Sequence, residues 1–326
     1  MYDVVLLSLA EGGADAGAPG ACGVGCCGGS TAERATACAP RVPVLTCADA
    51  LTGAGARVET ITAGSDAEID EVLARLDGPP RSDGLAWPDL DSKTRLIVAV
   101  ATDGQLRAVV RRLVRRYAPP PSRRPADLAA NRTVPDLPPV GVLPLDPVGT
   151  DHPHDLAAQL GLPRDPAAVA TATLRGTVRR LDLLRNDGGS VTLDGALIGG
   201  TDEHGRAVPW RGRVEVDDNI LSNGSDPIAA CVVGNAGGYA EFDGLPLLTV
   251  ADPTDGLVQV AVAVPVVVRS LLRGPRVRVE VRRARGRAVA VTPRDEEVQF
   301  LDDGVAGRLT RKRSWWAEPR AWAVYV

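Results

Sequence analysis

The sequence predicts an α/β domain with a parallel sheet, followed by an antiparallel all-β domain of the sandwich type. Over the first 160 residues, apolar runs alternate with segments of helical period, as in a parallel sheet covered by helices on both faces. From about residue 170, short alternating strands are separated by Gly, Asp and Asn turns. A chain of 326 residues can bury two cores. We therefore expect domains at 1–163 and 164–326.

The first two strand–helix pairs follow from local patterns. Residues 3–9, DVVLLSL, have the composition of a buried parallel strand. Residues 42–56 show helical spacing and a glycine-rich end, and residues 57–63 alternate as a strand. Residues 65–78 begin with a serine cap and carboxylates in the first turn, which predicts a helix.

The alternation continues through the rest of the first domain. The apolar run 96–101 predicts a strand, and 105–117 predicts the helix after it. The Pro/Arg-rich segment 118–138 predicts a surface loop. A further buried strand at 139–145 and a short helix at 154–162 complete the expected series.

Composition limits the classes of partner. The chain is 44% hydrophobic and 24% charged, which excludes a disordered protein. Its 37 basic residues nearly balance 41 acidic ones, for a net charge of −4, so we expect no nucleic-acid partner. Its apolar runs are too short to cross a bilayer, and the N-terminus lacks the basic region of a signal peptide. These features predict a cytoplasmic protein.

Cysteines are concentrated in the Gly-rich segment 11–40. Thiolates are ligands that zinc and iron–sulfur clusters favour, so Cys22, Cys26, Cys27 and Cys38 form a candidate metal site. Zinc sites usually need two Cys-x(2–4)-Cys or Cys/His pairs, and this segment offers one. A flexible loop that carries incidental thiols is the alternative, and both remain open.

Arginine alternates with valine in the segment RVRVEVRR at 276–283. A strand with one solvated face accounts for this pattern. An anionic membrane or phospholipid surface is the alternative partner, which would make the protein peripheral to a membrane.

The segment ATDGQ, Ala101 to Gln105, follows the third predicted strand. Together with later landmarks it resembles the catalytic domain of the diacylglycerol kinase and sphingosine kinase family of lipid kinases, in which this strand ends in Gly-Gly-Asp-Gly-Thr. The similar positions, in chain order, are Asp103-Gly104, Pro144-Leu145, Gly149-Thr150, Asp155-Leu156-Ala157, Gly234-Asn235, Asp255-Gly256-Leu257 and Asp303-Gly304-Val305.

The resemblance implies the fold shared by NAD kinase and diacylglycerol kinase, and an ATP-dependent transfer of phosphate to a lipid alcohol with Mg²⁺. The nucleotide would then be bound by Thr102, Asp103, Gly104, Gln105, Gly149 and Thr150. Asp255 matches a position associated with the metal, although ADPTDGL is also a sound β-turn sequence.

Several departures from the family pattern concern the chemistry. Ala101 and Thr102 add Cβ atoms where glycines let the backbone approach phosphate. Val305 replaces the glutamate to which the family assigns the role of base, and valine cannot accept a proton. Asp302 and Asp303 are the adjacent candidates for that role. We expect weakened or lost catalysis; a non-catalytic nucleotide- or lipid-binding protein and a metal- or redox-responsive regulator are the alternatives.

Overall fold

The computed structural model describes residues 1–10, 41–146, 155–249, 251–270, 274–294 and 297–326. The helices in this part of the chain are α1 (Arg41–Gly53), α2 (Asp66–Leu73), α3 (Asp103–Tyr117), α4 (Leu156–Gln159) and α5 (Pro166–Arg175), with 3₁₀ turns at Ala74–Leu76 and Pro121–Arg123. None of the described helices is long and apolar enough to span a membrane.

Four parallel strands form the N-terminal part of the first sheet. They are β1 (Asp3–Leu9), β2 (Arg57–Ala63), β3 (Thr94–Val100) and β4 (Pro139–Pro144), in the spatial order β2-β1-β3-β4. Helices α1 and α5 pack together on one face, where Leu6, Leu51 and Val169 share a core. Helices α2 and α3 cover the other face, where Leu73 and Val109 join a second core. The predicted parallel sheet with helices on both faces is confirmed.

The strands after α5 are short, except for three long ones. They are β5 (Val178–Asn186), β6 (Val191–Thr192), β7 (Gly195–Ile198), β8 (Gly200–Thr201), β9 (Ala207–Val208), β10 (Gly212–Val216), β11 (Asn219–Asn223), β12 (Ala230–Gly234), β13 (Glu241–Phe242), β14 (Leu245–Pro246), β15 (Val258–Ser270), β16 (Gly274–Gly286), β17 (Ala288–Pro293), β18 (Val298–Asp302), β19 (Val305–Leu309) and β20 (Arg313–Tyr325).

The final strand, β20, returns to the first sheet. It pairs in parallel with β4, through Ala323 and Pro139, and antiparallel with β5 and β17. The first sheet therefore runs β11-β10-β17-β20-β4-β3-β1-β2, with β5 and β6 attached to β20. Its antiparallel half packs on a six-stranded sheet of order β16-β15-β12-β7-β18-β19. The two sheets enclose a valine-rich core, so the predicted sandwich-like region is confirmed.

The Pro/Arg-rich segment 118–138 is anchored to this architecture. Val134 and Leu137 are buried in the core beside β20. Thr133 donates its backbone N–H to Glu318 Oε2 at 2.7 Å, and Trp316 Nε1 donates to Glu318 Oε1 at 2.9 Å. Glu318 lies at an irregularity of β20, where the strand's pairing with β5 shifts register.

Candidate functional site

The turn between β3 and α3 satisfies part of its own backbone. The side chain of Gln105 folds back, and its Oε1 accepts a hydrogen bond from the Ala101 N–H at 2.7 Å. The Gln105 N–H donates to the Thr102 carbonyl at 3.1 Å. A phosphate-binding turn presents such N–H groups to its ligand. Here the Ala101 N–H donates to the Gln105 side chain instead of to a phosphate.

Asp103 joins this turn to helix α4. Its two carboxylate oxygens accept from the Leu156 N–H at 3.2 and 3.1 Å. Burial raises the pKa of Asp103 to about 7, and the nearby carboxylate of Asp303 adds to that rise, while the Leu156 N–H opposes it. Asp103 therefore titrates close to neutral pH.

Gly104 lies against Val305, the first residue of β19. A Cβ built on Gly104 would be 2.7 Å from Val305 Cγ2 and 3.6 Å from the Asp303 carbonyl oxygen. A side chain at position 104 would therefore force Val305 to shift. The glycine that the resemblance assigns to phosphate is thus also required for the packing of the two regions.

Asp303 and Gly304 form the two-residue turn between β18 and β19. Both residues have positive φ, 48° and 78°, as in the type I′ hairpin turn that Asp-Gly favours. The buried Asp303 carboxylate accepts from three consecutive backbone N–H groups, those of Leu193 at 2.7 Å, Asp194 at 2.9 Å and Gly195 at 3.1 Å. Asp303 therefore fixes the loop before β7.

Asp302 is also fully buried and has its own partners. Thr192 Oγ1 donates to Asp302 Oδ1 at 2.7 Å, and Arg107 Nη2 donates to Asp302 Oδ2 at 3.0 Å. Arg107 Nε lies 3.9 Å from Asp303 Oδ2. Burial raises the pKa of both carboxyls, and Arg107 opposes the rise.

A further buried carboxyl, Asp194, lies beside these two. Its Oδ1 accepts from the Gly238 N–H at 2.9 Å, and its buried Oδ2 has no hydrogen-bond partner in the described part of the chain. Burial, with the charges of Asp303 and Asp103, raises the pKa of Asp194 to about 8. Four carboxyls, of Asp103, Asp194, Asp302 and Asp303, thus lie close together at the hairpin turn.

A cavity of about 260 Å³ opens beside the Asp103 turn. Its wall is largely apolar, and its polar side chains include three aspartates. It is lined by Val100, Ala101, Thr102, Asp103, Leu106, Val142, Pro144, Asp146, Asp155, Ala157, Tyr239, Leu301 and Gly304.

Arg164, a described cationic residue beside this cavity, is already paired. Arg164 forms an ion pair with Asp155 and donates from Nη1 to the Asp146 carbonyl at 2.8 Å. Among the described lining residues there is no lysine, arginine or histidine. The described wall therefore carries negative or neutral groups.

The other predicted site residues are distributed as follows. Gly149 and Thr150 lie outside the described residues, as do Cys22, Cys26, Cys27 and Cys38. Asp255 does not line the cavity; its Oδ1 accepts from the Leu257 N–H at 2.8 Å and its Oδ2 pairs with Arg285. Within the described ranges, no group of three or more His, Cys, Asp and Glu is arranged to hold a metal ion.

Comparison with known proteins gives a match in structure only. No family model matches the sequence, and no curated protein matches it. A solved diacylglycerol kinase from Bacillus anthracis str. Sterne is 13% identical, with a TM-score of 0.53 over 100% of this chain and 97% of that chain. The chain has the diacylglycerol kinase fold.

Two more structures from Bacillus anthracis str. Sterne, of proteins assigned as diacylglycerol kinases, agree with this result. Both are 12% identical with a TM-score of 0.56; one aligns over 99% of this chain, the other over 100%, and each over 97% of its own chain. The likeness extends over the whole diacylglycerol kinase fold, which confirms the resemblance in architecture. At this identity, activity has to be argued from the residues of the site.

Three residues of the site were not singled out by sequence reasoning. Arg107, Asp194 and Tyr239 lie on separate elements, and Tyr239 accepts from the Gly304 N–H at 2.8 Å. Arg107 follows Asp103 by one helical turn, which is a weak signal that both face the same neighbour. Its partner Asp302 is 195 residues away, and no local pattern indicates that contact.

Proposed function

We propose that this chain keeps the diacylglycerol kinase fold without phosphotransfer, and that the cavity beside the Asp103 turn binds an uncharged ligand. One observation carries the proposal: Val305, in place of a group able to accept a proton, packs on Gly104. Transfer to an alcohol needs a group that takes up or positions the hydroxyl proton.

The neighbouring carboxyls do not supply that group. Asp303 is committed to three backbone N–H groups, and Asp302 to Thr192 and Arg107. Both are completely buried. Their contacts support a structural role, in which they hold the hairpin turn and the loop before β7.

The described wall offers no cation to a polyphosphate. Its described lining residues include no lysine, arginine or histidine, and Arg164 beside it is paired with Asp155. Phosphate-binding sites balance the charge of the ligand with cationic side chains or backbone N–H groups. A triphosphate would therefore be disfavoured at this wall.

An uncharged lipid alcohol fits the same wall better. Val100, Leu106, Val142 and Leu301 offer apolar contact, and Asp103 can accept a hydrogen bond from a hydroxyl. The cavity of about 260 Å³ is enough for a glycerol-sized head and the start of an acyl chain. We therefore propose a diacylglycerol-type ligand.

Calorimetric titration with a short-chain diacylglycerol, and separately with Mg-ATP, tests this function. We expect saturable heat with the diacylglycerol and none with Mg-ATP. Ala101→Trp, at the exposed edge of the cavity, should abolish the heat of diacylglycerol binding. Ala54→Trp, at an exposed turn outside the cavity lining, is the control and should leave that heat unchanged. No heat with the diacylglycerol, or equal heat from Ala101→Trp, would contradict the proposal.

ATP-dependent phosphotransfer is the second candidate. The observation that favours it is the retained Asp103-Gly104 at the start of α3, since a helix N-terminus attracts phosphate. Mg²⁺ would then enter with the nucleotide, because Asp255 is engaged by Arg285 and lies outside the cavity lining. Saturable heat with Mg-ATP would support this candidate.

The metal- or redox-responsive alternative depends on Cys22, Cys26, Cys27 and Cys38. The two described cysteines do not contribute to it: Cys47 and Cys231 are buried, and burial raises the pKa of each thiol to about 12. Metal analysis of the purified chain, with Cys22→Ser/Cys26→Ser as the matched variant, tests this alternative. Stoichiometric zinc or iron that the variant loses would support it.

A further inference from the structure

Strands β15 and β16 form a two-stranded ribbon that is longer than the sheet beside it. The ribbon pairs continuously from Val258↔Gly286 to Ser270↔Gly274. Strand β12 pairs with β15 only from Gln259 to Ala263. Beyond Ala263 the described chain offers β15 no partner other than β16, so the outer half of the ribbon is an arm.

One face of this arm is apolar and exposed. In an antiparallel pair, directly opposed residues share a face, and residues two apart along a strand do so as well. The pairs Val267↔Val277 and Pro265↔Val279 therefore lie on one face. Val267 is 64% exposed and Val277 70%, which is unusual for adjacent valines.

The other face of the arm carries arginines of β16 opposite valines of β15. Arg276 and Arg278 oppose Val268 and Val266 in the register and are exposed. Neither arginine has an ion pair among the described residues, whereas Glu280, at the base of the arm, pairs with Arg282 at 2.9 Å. Over the described residues of the arm, 264–270 and 274–279, the sequence contains three arginines and no Asp or Glu. The arm is therefore cationic in a chain of net charge −4.

We propose that this arm docks on an anionic lipid surface, with Pro265, Val267, Val277 and Val279 entering the headgroup layer and Arg276 and Arg278 contacting lipid phosphates. The charge of the arm is complementary to such a surface. An interfacial element buries its apolar face by roughly 5–10 Å, which is about the thickness of a ribbon, so arginines on the opposite face stay at the level of the phosphates. An acidic macromolecule would use the arginines but gain nothing from the three exposed valines, Val267, Val277 and Val279.

Vesicle flotation of the full chain tests the proposal. We expect binding to vesicles that contain phosphatidylglycerol, no binding to pure phosphatidylcholine, and release at high salt because salt screens the arginines. Arg276→Ser/Arg278→Ser should weaken the partition onto phosphatidylglycerol vesicles about 30-fold. Arg311→Ser/Lys312→Ser, at exposed basic positions outside the arm, is the matched control and should bind as the wild type does.

The apolar face is tested by Val267→Ser/Val277→Ser. This variant should lose binding, while Val178→Ser/Val208→Ser, at valines 48% and 49% exposed elsewhere, should keep it. All four variants should keep the wild-type thermal midpoint, since the changed side chains are exposed. Absence of wild-type binding, or wild-type binding by either arm variant, overturns the proposal. So does a wild-type dimer in analytical ultracentrifugation that Val267→Ser/Val277→Ser dissociates, because the face would then belong to a second copy.

Discussion

Gly104 and Val305 are in direct contact across the two parts of the fold: a Cβ on Gly104 would lie 2.7 Å from Val305 Cγ2. The same two positions are those where the kinase resemblance assigns phosphate binding and proton transfer. An aliphatic side chain therefore packs against the first turn of α3. The proposed loss of phosphotransfer follows from that contact.

Gly104→Ala should lower the free energy of unfolding by about 1–3 kcal/mol, because the added methyl group overlaps Val305. Val305→Ala in the same chain should recover part of the loss, which gives a favourable coupling in a double-mutant cycle. Gly53→Ala is the control, because nothing lies within 4 Å of a Cβ there. Urea unfolding of the four chains measures the coupling, and additive effects would contradict the contact.

Arg107→Ala should lower the free energy of unfolding by about 3–5 kcal/mol, because it leaves buried Asp302 without its cation. Arg111→Ala removes an arginine from the same helix whose pair with Asp66 is partly exposed, at 3.5 Å. Its cost should be below about 1 kcal/mol. Similar urea midpoints for the two variants would contradict this prediction, because the buried Arg107–Asp302 pair would then stabilise the fold no more than the Arg111–Asp66 pair.

Variants of Asp303 distinguish a structural role of its carboxylate from a role as general base. Asp303→Ala leaves three backbone N–H groups without an acceptor. Each of them should cost at most about 1–3 kcal/mol, so the free energy of unfolding should fall by several kcal/mol. Asp303→Asn keeps an oxygen acceptor and should cost less. Thermal unfolding separates the two. A general base would instead give variants of unchanged stability, with any transfer activity lost.

Stability should fall as pH rises from acid to weakly alkaline. Asp194 has its pKa raised from 3.8 to about 8, so the folded chain retains a proton that the unfolded chain has released. This contribution is fully present below the unfolded pKa and is lost as pH rises through the folded one. Burial raises the pKa of Asp103, Asp302 and Asp303 too, and these groups act in the same direction.

Asp194→Asn isolates this contribution. Between about pH 4 and pH 8 the wild type should lose stability relative to the variant, and below about pH 4 the two chains should show the same pH dependence. Asp218→Asn, at an exposed turn, should follow the wild type at every pH. Urea midpoints across this range measure the effect, and parallel curves for wild type and Asp194→Asn would contradict it.

Local patterns predicted the parallel half of the fold well. The strands predicted at 3–9 and 57–63 have those bounds, and Ser65 caps α2 by accepting from the Glu68 N–H. Helix α5 was not predicted, although Asp165 caps it and Pro166 opens it. Strand β20 was not predicted either, because its place between β4 and β17 depends on pairing between distant parts of the chain.

The sequence predicted several residues of the candidate site but not the contacts that their side chains make. The sequence resemblance predicted that Asp103, Gly104 and the segment 302–305 belong to the site. It gave no indication that the Asp302 and Asp303 carboxylates point into the protein and hold Arg107 and the loop before β7. Those contacts join residues about 110 to 195 positions apart, and only the folded chain brings them together.

Transfer of labelled γ-phosphate from Mg-ATP to a panel of lipid alcohols, diacylglycerol included, tests the central claim most directly. With folded wild-type chain we expect no labelled lipid above the level seen without protein, because Val305 fills the position of the base beside Gly104. Labelled lipid that accumulates with time and in proportion to the amount of protein would contradict the account.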